Sequence, residues 1–576
     1  MAEAPVLKLS PAEAIKQESQ FLRGVIGSDV ANSDENVSHS SEILLKFHGT
    51  YQQDDRDVRG GVPADDSGKR KSYIFMVRSR VPGGRLTSDQ LLAELDLCDE
   101  VGNATLRITT RQGLQLHGVL KRNLKHTIAR INEVQLSTLA ACGDVNRNVM
   151  CCPAPLKNAV YDELHRLTEA LKDHFAPRTK AYHELWLTDV ATGDKQLAGG
   201  AAEDDEPIYG KHYLPRKFKM GISLPDDNCI DIHANDLGFL AKVEQNRVVG
   251  YNVLVGGGMG VTPSNKKTFP AVAQYLCYVT PEQAVAVAEA IVKVQRDFGN
   301  REDRKQARMK YLIHNWGLPK FKEKVEEYFG GPLTDPDEGV TVRGFDDHMG
   351  WHEQGDGLWF YGLNIENGRI KDSDEFTLKA ALREVCHTLR PGIRLTAHQS
   401  LLFTDIRPQD KSALEAILTK HRVKLIEEIS TVRRWSMACV AWPTCGLSIT
   451  ESERALPGLI DQMEAELAKL GLAGDRFTVR MTGCPNGCAR PYNCDIGLVG
   501  KAKGKYTLFV GGRLLGDRLN FIYQDMILED DIVRSLVPVF TYYKHDRLEG
   551  ETLGDFCARK GKEDLLAYAQ GLAQSA

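Results

Sequence analysis

Residues 107–114, RITTRQGL, and residues 394–401, RLTAHQSL, agree at their first, third, sixth and eighth places. The second copy begins 287 residues after the first, about half the length of the 576-residue chain. Upstream, VPGGRLT at 81–87 is answered by IENGRIK at 365–371. Downstream, Asp236-Leu-Gly238 with Val255-Gly-Gly257 is answered by Asp495-Ile-Gly497 with Val510-Gly-Gly512. Coincidence among common strand-and-turn patterns would have to explain why all four landmarks keep one order. Two related halves predict a pseudo-two-fold architecture with a cleft where they meet.

Around these landmarks, strand-like runs (YIFMVRSRV, FTVRMTG, YTLFVGG) alternate with helix-like runs (PEQAVAVAEAIVKVQRDF, LPGLIDQMEAELAKLG). The pattern is mixed α/β, of the α+β class. A single core rarely grows to this length, so about three domains are expected. Residues 28–41, SDVANSDENVSHSS, read as a polar surface loop, and 330–345, rich in Gly, Pro and Asp, read as a break.

The chain is 42% hydrophobic and 26% charged, ordinary values that argue against disorder. Its net charge of −5 gives no general attraction to nucleic acid or anionic membrane, and neither is expected as a partner. No apolar run approaches the ~18–20 residues that span a bilayer. The first residues lack a basic segment followed by an apolar one, so a cytoplasmic protein is expected. Thirteen cysteines, an odd number without a secretory leader, favour metal or redox chemistry over disulfides.

Four of them stand in two close pairs: Cys439 and Cys445 as C-x5-C, Cys484 and Cys488 as C-x3-C. A cubane cluster needs four converging thiolates. Gly483, Pro485 and Gly487 suit a tight loop whose N–H groups can face cluster sulfurs. Structural zinc takes C-x2–4-C pairs, which fits the second pair and not the first. By spacing alone, an Fe–S cluster, zinc and no metal all stay open. Cys98, Cys142, Cys151, Cys152, Cys229, Cys277, Cys386 and Cys557 read as buried inert thiols, and Cys494 as superfluous once four ligands are present.

These motifs resemble the sulfite/nitrite reductase haemoproteins. The resemblance rests on A-C-x5-C with TGCPNGCARPY, and on FHGTYQQDDRDVRGG (47–61), LRITTRQGLQLHG (106–118), ACGDVNRNV (141–149), YLPRKFK (213–219), VGGGMG (255–260) and DRKQARMKYLI (303–313). It runs from about Phe21 to Phe556. It implies a three-domain, pseudo-two-fold fold with cofactors at the domain junction. Split ferredoxin-like half-domains would occupy 1–140 and 343–426. A sirohaem and substrate domain would occupy 141–342, and a [4Fe–4S] and sirohaem domain 427–576. Cys439, Cys445, Cys484 and Cys488 would bind [4Fe–4S], and Cys488 would also be the axial ligand of the sirohaem iron. Only the second half would carry cluster cysteines, the first having no counterpart to either pair.

Sirohaem carries many carboxylates and sulfite is an anion, so a net-acidic chain must gather its cations in one cleft. The matching motifs carry Arg107, Arg111, Arg147, Arg216, Lys217, Lys219, Arg308 and Lys310, and the strand-like run YIFMVRSRV within the same resemblance carries Arg78. Period-two alternation sends Arg107, Thr109, Arg111, Gln115 and His117 to related faces of a strand or its end. By resemblance these five, with Arg216, Arg308 and Asn486, contact the tetrapyrrole; guanidinium gives carboxylates a planar bidentate fit. Arg78, Arg147, Lys217 and Lys219 would form the catalytic group around sulfite. Lys217 and Lys219, at i and i+2 of an extended segment, leave the same face. The bland alternatives are a solvated Lys-x-Lys edge, a structural salt bridge for Arg147 and a structural histidine at 117.

The reaction so implied is assimilatory reduction of sulfite to hydrogen sulfide. Relatives that favour nitrite often have asparagine where this chain has Lys219, so sulfite is the expected substrate and nitrite the alternative. No G-x-G-x-x-G follows a strand; GGGMG and GGRLLG fail the spacing, so the electron donor is external. DRDVRGG, ACGDVNRNV, GWHEQGDG (350–357) and NGCARPY resemble the ferredoxin-dependent branch, making reduced ferredoxin the expected donor and an NADPH-dependent flavoprotein the alternative. A competing class, a non-catalytic Fe–S electron carrier, would need the cysteines but not the cations.

Overall fold

The computed structural model describes residues 9–64, 68–182, 185–190, 192–199, 206–263 and 265–575. The internal repeat is built as two pairs of matching sheets. In the first pair, Thr50–Asp54, Tyr73–Ser79, Leu114–Val119 and Leu106–Ile108 make one antiparallel row, and Gly350–Glu353, Trp359–Leu363, Leu401–Ile406 and Gly392–Leu395 make the other. Each row is completed by a two-residue strand from the opposite half. Arg369–Ile370 pairs with Leu106–Ile108, and Arg85–Leu86 pairs with Gly392–Leu395.

VPGGRLT and IENGRIK are therefore exchange points. Both form a short 3-10 turn with a left-handed residue inside it, Gly83 at φ 57° and Asn367 at φ 52°. The glycines that follow, Gly84 and Gly368, have φ 73° and 75°. A Cβ on Gly84 would sit 2.3 Å from the Leu395 carbonyl oxygen, and one on Gly368 would sit 2.2 Å from that of Ile108. Close backbone approach across the exchange leaves room only for glycine. Helices Ser88–Glu100 and Leu378–Thr388 pack beneath, and both halves share one apolar core that includes Leu91, Leu95, Leu116, Leu382, Val385 and Leu401.

The second pair of sheets repeats strand order and direction. Met150–Cys151, Met220–Ser223 and Leu237–Glu244 run parallel, then Arg247–Val255 and Gln274–Val279 return antiparallel. Ser436–Ala438, Val479–Thr482 and Ile496–Ala502 run parallel, then Lys505–Val510 and Phe521–Leu528 return antiparallel. Helices Ala159–His174 and Leu456–Leu470 lie in the first crossovers, as parallel neighbours require. Asp236-Leu-Gly238 with Val255, and Asp495-Ile-Gly497 with Val510, occupy equivalent ends of equivalent hairpins: Leu237 faces Val255 and Ile496 faces Val510.

The expected surface loop at 28–41 is in part helical. Ile26–Ala31 and His39–Leu45 are helices, because Ser38 caps the second through Ser41 N and also donates from its backbone to Asp29 Oδ2 at 3.0 Å. Polar composition here marked caps. Among the described residues, no helix is long and apolar enough to cross a membrane.

Gly368→Ala is expected to destabilise the protein by about 2–3 kcal/mol, combining left-handed strain with a backbone clash. Gly330→Ala, at φ 88° with open space around the added Cβ, should cost about 1 kcal/mol. Thermal unfolding of both variants measures the difference; equal losses would show that the exchange point tolerates a side chain.

Candidate functional site

The two cysteine pairs meet because their strands are neighbours. Cys439 follows Ser436–Ala438 and Cys484 follows Val479–Thr482, and these strands pair in parallel, so both loops leave at the same sheet edge. The N–H of Gly483 donates to Cys439 Sγ at 3.4 Å, and the Asn486 amide donates to Cys484 Sγ at 3.5 Å. A Cβ on Gly483 would meet Ser448 Oγ at 2.3 Å and the Thr450 carbonyl oxygen at 2.5 Å. Burial, then the sulfurs of Cys488 and Cys484, push the Cys439 thiol up to about 12. Burial and Cys439 push Cys445 up to about 11, and burial and Cys488 push Cys484 up to about 11. Four thiols that repel one another as thiolates in one volume are suited to a multivalent cationic centre.

Cys488 is exposed, and it opens onto a cavity. Arg78, Arg111, Arg147, Lys217, Lys219 and Arg490 line that cavity, and among the described residues no carboxylate does. Lys217 and Lys219 both reach it, from the extended segment that leads into Met220–Ser223. Burial, then Arg147 and Arg216, lower the Lys217 ammonium to about 7. Burial and Lys217 hold Lys219 well below its usual value. Burial, then Arg147, lower Arg111 to about 9. Cations that depress one another this strongly favour an anionic occupant.

Two family models match the chain. One described as "Nitrite and sulphite reductase 4Fe-4S domain" matches residues 142–333, and one described as "Nitrite/Sulfite reductase ferredoxin-like half domain" matches 67–134 and 352–421. A protein of Staphylococcus haemolyticus called "Sulfite reductase [NADPH] hemoprotein beta-component" is 44% identical over 97% of this chain and 96% of its own. Proteins of the same description from Chromohalobacter salexigens and Myxococcus xanthus are also 44% identical, each over 96% of this chain, covering 96% and 97% of their own lengths. The chain belongs to the nitrite and sulfite reductase haemoprotein family. Its fold matches the solved structure of the Mycobacterium tuberculosis NirA protein, with a TM-score of 0.79 and 26% identity over 97% of this chain and 98% of that one. The donor sets fit the family's cofactors: four thiols for a [4Fe–4S] cluster, and an anion-seeking cavity beside Cys488 for sirohaem.

Other residues singled out by sequence take varied places in this haemoprotein. Thr109 lines the cavity and its Oγ1 accepts from Arg111 N at 3.2 Å and Gly113 N at 3.1 Å, so the expected run of period-two residues is a hairpin turned at 109–113. Arg111 donates to Asn235 Oδ1 and to the Asn148 carbonyl oxygen, both at 2.7 Å, and its Nε lacks a partner. Arg107 does not line the cavity. It is buried, ion-paired with Glu453, and donates at 2.8 Å to the carbonyl of Ala438, the residue before Cys439. Arg308 is bound bidentately by Asp236 at 2.8 and 2.9 Å. Arg216 lies 4.0 Å from Asp144 and does not line the cavity. With its amide oxygen turned to Arg78, Gln115 accepts from Nε at 2.9 Å. His117 is buried with neither ring nitrogen hydrogen-bonded; burial, then Arg369 and Arg107, keep it neutral.

Two groups escaped the sequence reading. Arg490 and Arg480 both pair with buried Asp231, joining the cysteine loop to the first half. Arg56, inside DRDVRGG, donates to the carbonyls of Pro443, Cys445 and Ser448 at 2.8, 2.7 and 2.9 Å, and its guanidinium lies 3.7 Å over the Trp442 ring. One cation thus ties together residues 442–448, the later part of the C-x5-C loop and the turn that follows it. A charged donor this close in sequence to an otherwise unexplained acidic motif was the available signal.

Arg56→Ala removes those charge-assisted bonds, about 1.5–3 kcal/mol each before relaxation. The variant is expected to lose cluster iron and acid-labile sulfide during purification while keeping its helical circular dichroism. Full iron and sulfide content would show that the loop closes without Arg56.

Proposed function

We propose that this chain is the haemoprotein component of a sulfite reductase, reducing sulfite to sulfide with electrons from a separate NADPH-oxidising flavoprotein. The observation that carries the reading is a cavity lined, among the described residues, by six cations and no carboxylate, at whose wall Cys488 stands. Cys439, Cys445, Cys484 and Cys488 would hold the cluster, and Cys488 would also ligate the sirohaem iron. When bound, the coupled cofactors supply the substrate sulfur with electrons, six for each sulfite.

The surrounding residues do the rest. Arg111 would hold tetrapyrrole carboxylates, with its guanidinium aimed by Asn235 and Asn148. Arg78, Arg147, Lys217 and Lys219 would bind sulfite and balance its charge. Three S–O bonds must leave as water, so protons must arrive with the electrons, and a lysine lowered toward neutrality is a competent donor. Keeping both lysines favours sulfite, the more highly charged oxyanion, over nitrite.

The names of the relatives favour the flavoprotein over the ferredoxin expected from short motifs. Three of those four motifs border the candidate site: DRDVRGG clamps the Cys439–Cys445 loop through Arg56, NGCARPY carries Cys488 and Arg490 of the other cysteine loop, and ACGDVNRNV contributes Arg147 and Asn148 to the cavity. Residues with these duties serve either donor class, so they carry little information about the docking surface. Turnover is expected with NADPH and a sulfite reductase flavoprotein. Activity with reduced ferredoxin alone, and none with the flavoprotein mixture, would return the donor to ferredoxin.

Lys217 tests the proton role. Its value in the folded protein lies below the ordinary lysine value, so it is protonated below about 7 and neutral above. Its charge and its proton are present at low pH and lost as pH rises through that value; bound anions move the point upward. The alkaline fall of kcat/KM for sulfite is expected to move to higher pH in Lys217→Arg, whose guanidinium stays charged. An unmoved alkaline limb would remove Lys217 from this role.

A further inference from the structure

The register that matches the two parallel sheets also matches their cysteines. Met150 and Cys151 lie against Gly221 and Ile222, as Met437 and Ala438 lie against Arg480 and Met481. The next residues are Cys152 and Cys439. Seven residues before Asp236 and Asp495, the equivalent aspartates of the third strands, stand Cys229 and Cys488. The first half therefore keeps one member of each cysteine pair. Neither close pair is repeated in the first half, as expected, but two single cysteines read from the sequence as inert stand at the equivalent places.

Two other side chains complete the group. The ligand atoms of Cys152, Asp227, Cys229 and His348 all lie within 4.8 Å of one another, and all four residues are buried. Cys152 Sγ is 2.8 Å from Asp227 Oδ2 and 3.4 Å from His348 Nε2, and His348 Nε2 is 3.1 Å from Asp227 Oδ2. A tetrahedral ion with ~2.3 Å bonds to sulfur and ~2.0–2.1 Å bonds to nitrogen and oxygen spaces its ligands by about 3.2–3.8 Å. Sub-ångström shifts would close this group around one.

The supporting contacts aim the ligands inward. Asp227 Oδ1 accepts from the backbone N–H groups of Cys229 and Asp346, both at 3.2 Å, which turns Oδ2 to the centre. His348 has φ 60°, a strained conformation for histidine, and its Nδ1 lies 4.0 Å from the Asp346 carboxylate, leaving Nε2 to point inward. Such outer contacts are the ones that orient metal ligands.

We propose that Cys152, Asp227, Cys229 and His348 bind one zinc ion, at the position related by the pseudo-two-fold to the [4Fe–4S] site. Two thiolates, an imidazole and a carboxylate make a closed four-coordinate set of the kind zinc accepts. A cubane cluster would need four thiolates, and this half offers two. His348 belongs to the segment that crosses from the first half to the second. Its neighbour Asp347 binds Arg434 bidentately at 2.8 and 2.9 Å, just before the strand that leads to Cys439. The ion would tie that crossing to the first half's sheet. The proposal does not depend on the substrate or the electron donor.

The test is a metal count on the untagged holoenzyme, grown with zinc and desalted from EDTA, followed by zinc K-edge EXAFS. The expected result is about one zinc per chain beside the cofactor iron, with two sulfurs near ~2.3 Å and two light atoms near ~2.0 Å. His348→Ala and Cys229→Ser should lose the zinc while keeping cofactor iron. If those variants do not fold, the stoichiometry and EXAFS of the unaltered enzyme decide alone. Substoichiometric zinc, iron in its place, zinc whose coordination survives His348→Ala, or a Cys152–Cys229 disulfide in peptide mass analysis would each overturn the proposal.

Discussion

The architecture depends on keeping like charges together. A chain with net charge −5 points Arg78, Arg111, Arg147, Lys217, Lys219 and Arg490 at one cavity without a carboxylate among them. Burial and mutual repulsion lower the two lysines and Arg111, so the site is costly until anions arrive. The same field that gathers an anionic tetrapyrrole gathers an anionic substrate. Three other buried cations are neutralised by carboxylates beside them: Arg107 by Glu453, Arg308 by Asp236, Arg480 by Asp231. Buried pairs of this kind add little net stability, because the cost of desolvating both charges offsets their attraction.

Pseudo-symmetry supplies the frame for that field. The exchanged strands Arg85–Leu86 and Arg369–Ile370 lock the two halves through paired backbone. Two sheets of identical strand order then present parallel strand ends, where open α/β sheets bind ligands. The halves differ in what those ends carry. The second keeps four cysteines; the first keeps two, with a carboxylate and an imidazole beside them. The family model named for a 4Fe-4S domain matches 142–333, outside the two close cysteine pairs, which is understandable if the shared feature is the sheet and its loops.

Much of this was legible in the chain. The repeat, the two cysteine pairs, the helices Ala284–Phe298 and Leu456–Leu470 and the same-face placement of Lys217 and Lys219 all follow from periodicity and spacing. One counterpart cysteine was legible too: the 287-residue offset of the repeat carries Cys152 onto Cys439, while Cys229 aligns with Cys488 only through the Asp236 and Asp495 landmarks. Local spacing does not mark them, because the first half lacks the close cysteine pairs that are the usual local sign of a metal site.

The sequence by itself determined the class of chemistry: two thiol pairs, an excess of arginine and lysine in the matching motifs, and an internal duplication. Tertiary structure alone decided which cation faces the cavity and which is spent on an internal carboxylate, since Arg107 and Glu453, or Arg308 and Asp236, are distant in the chain. It also decided that His348 joins Cys152, Asp227 and Cys229. Local spacing fixes which atoms share a turn or a strand face; the partner of a long, charged side chain is set by whichever remote element packs beside it.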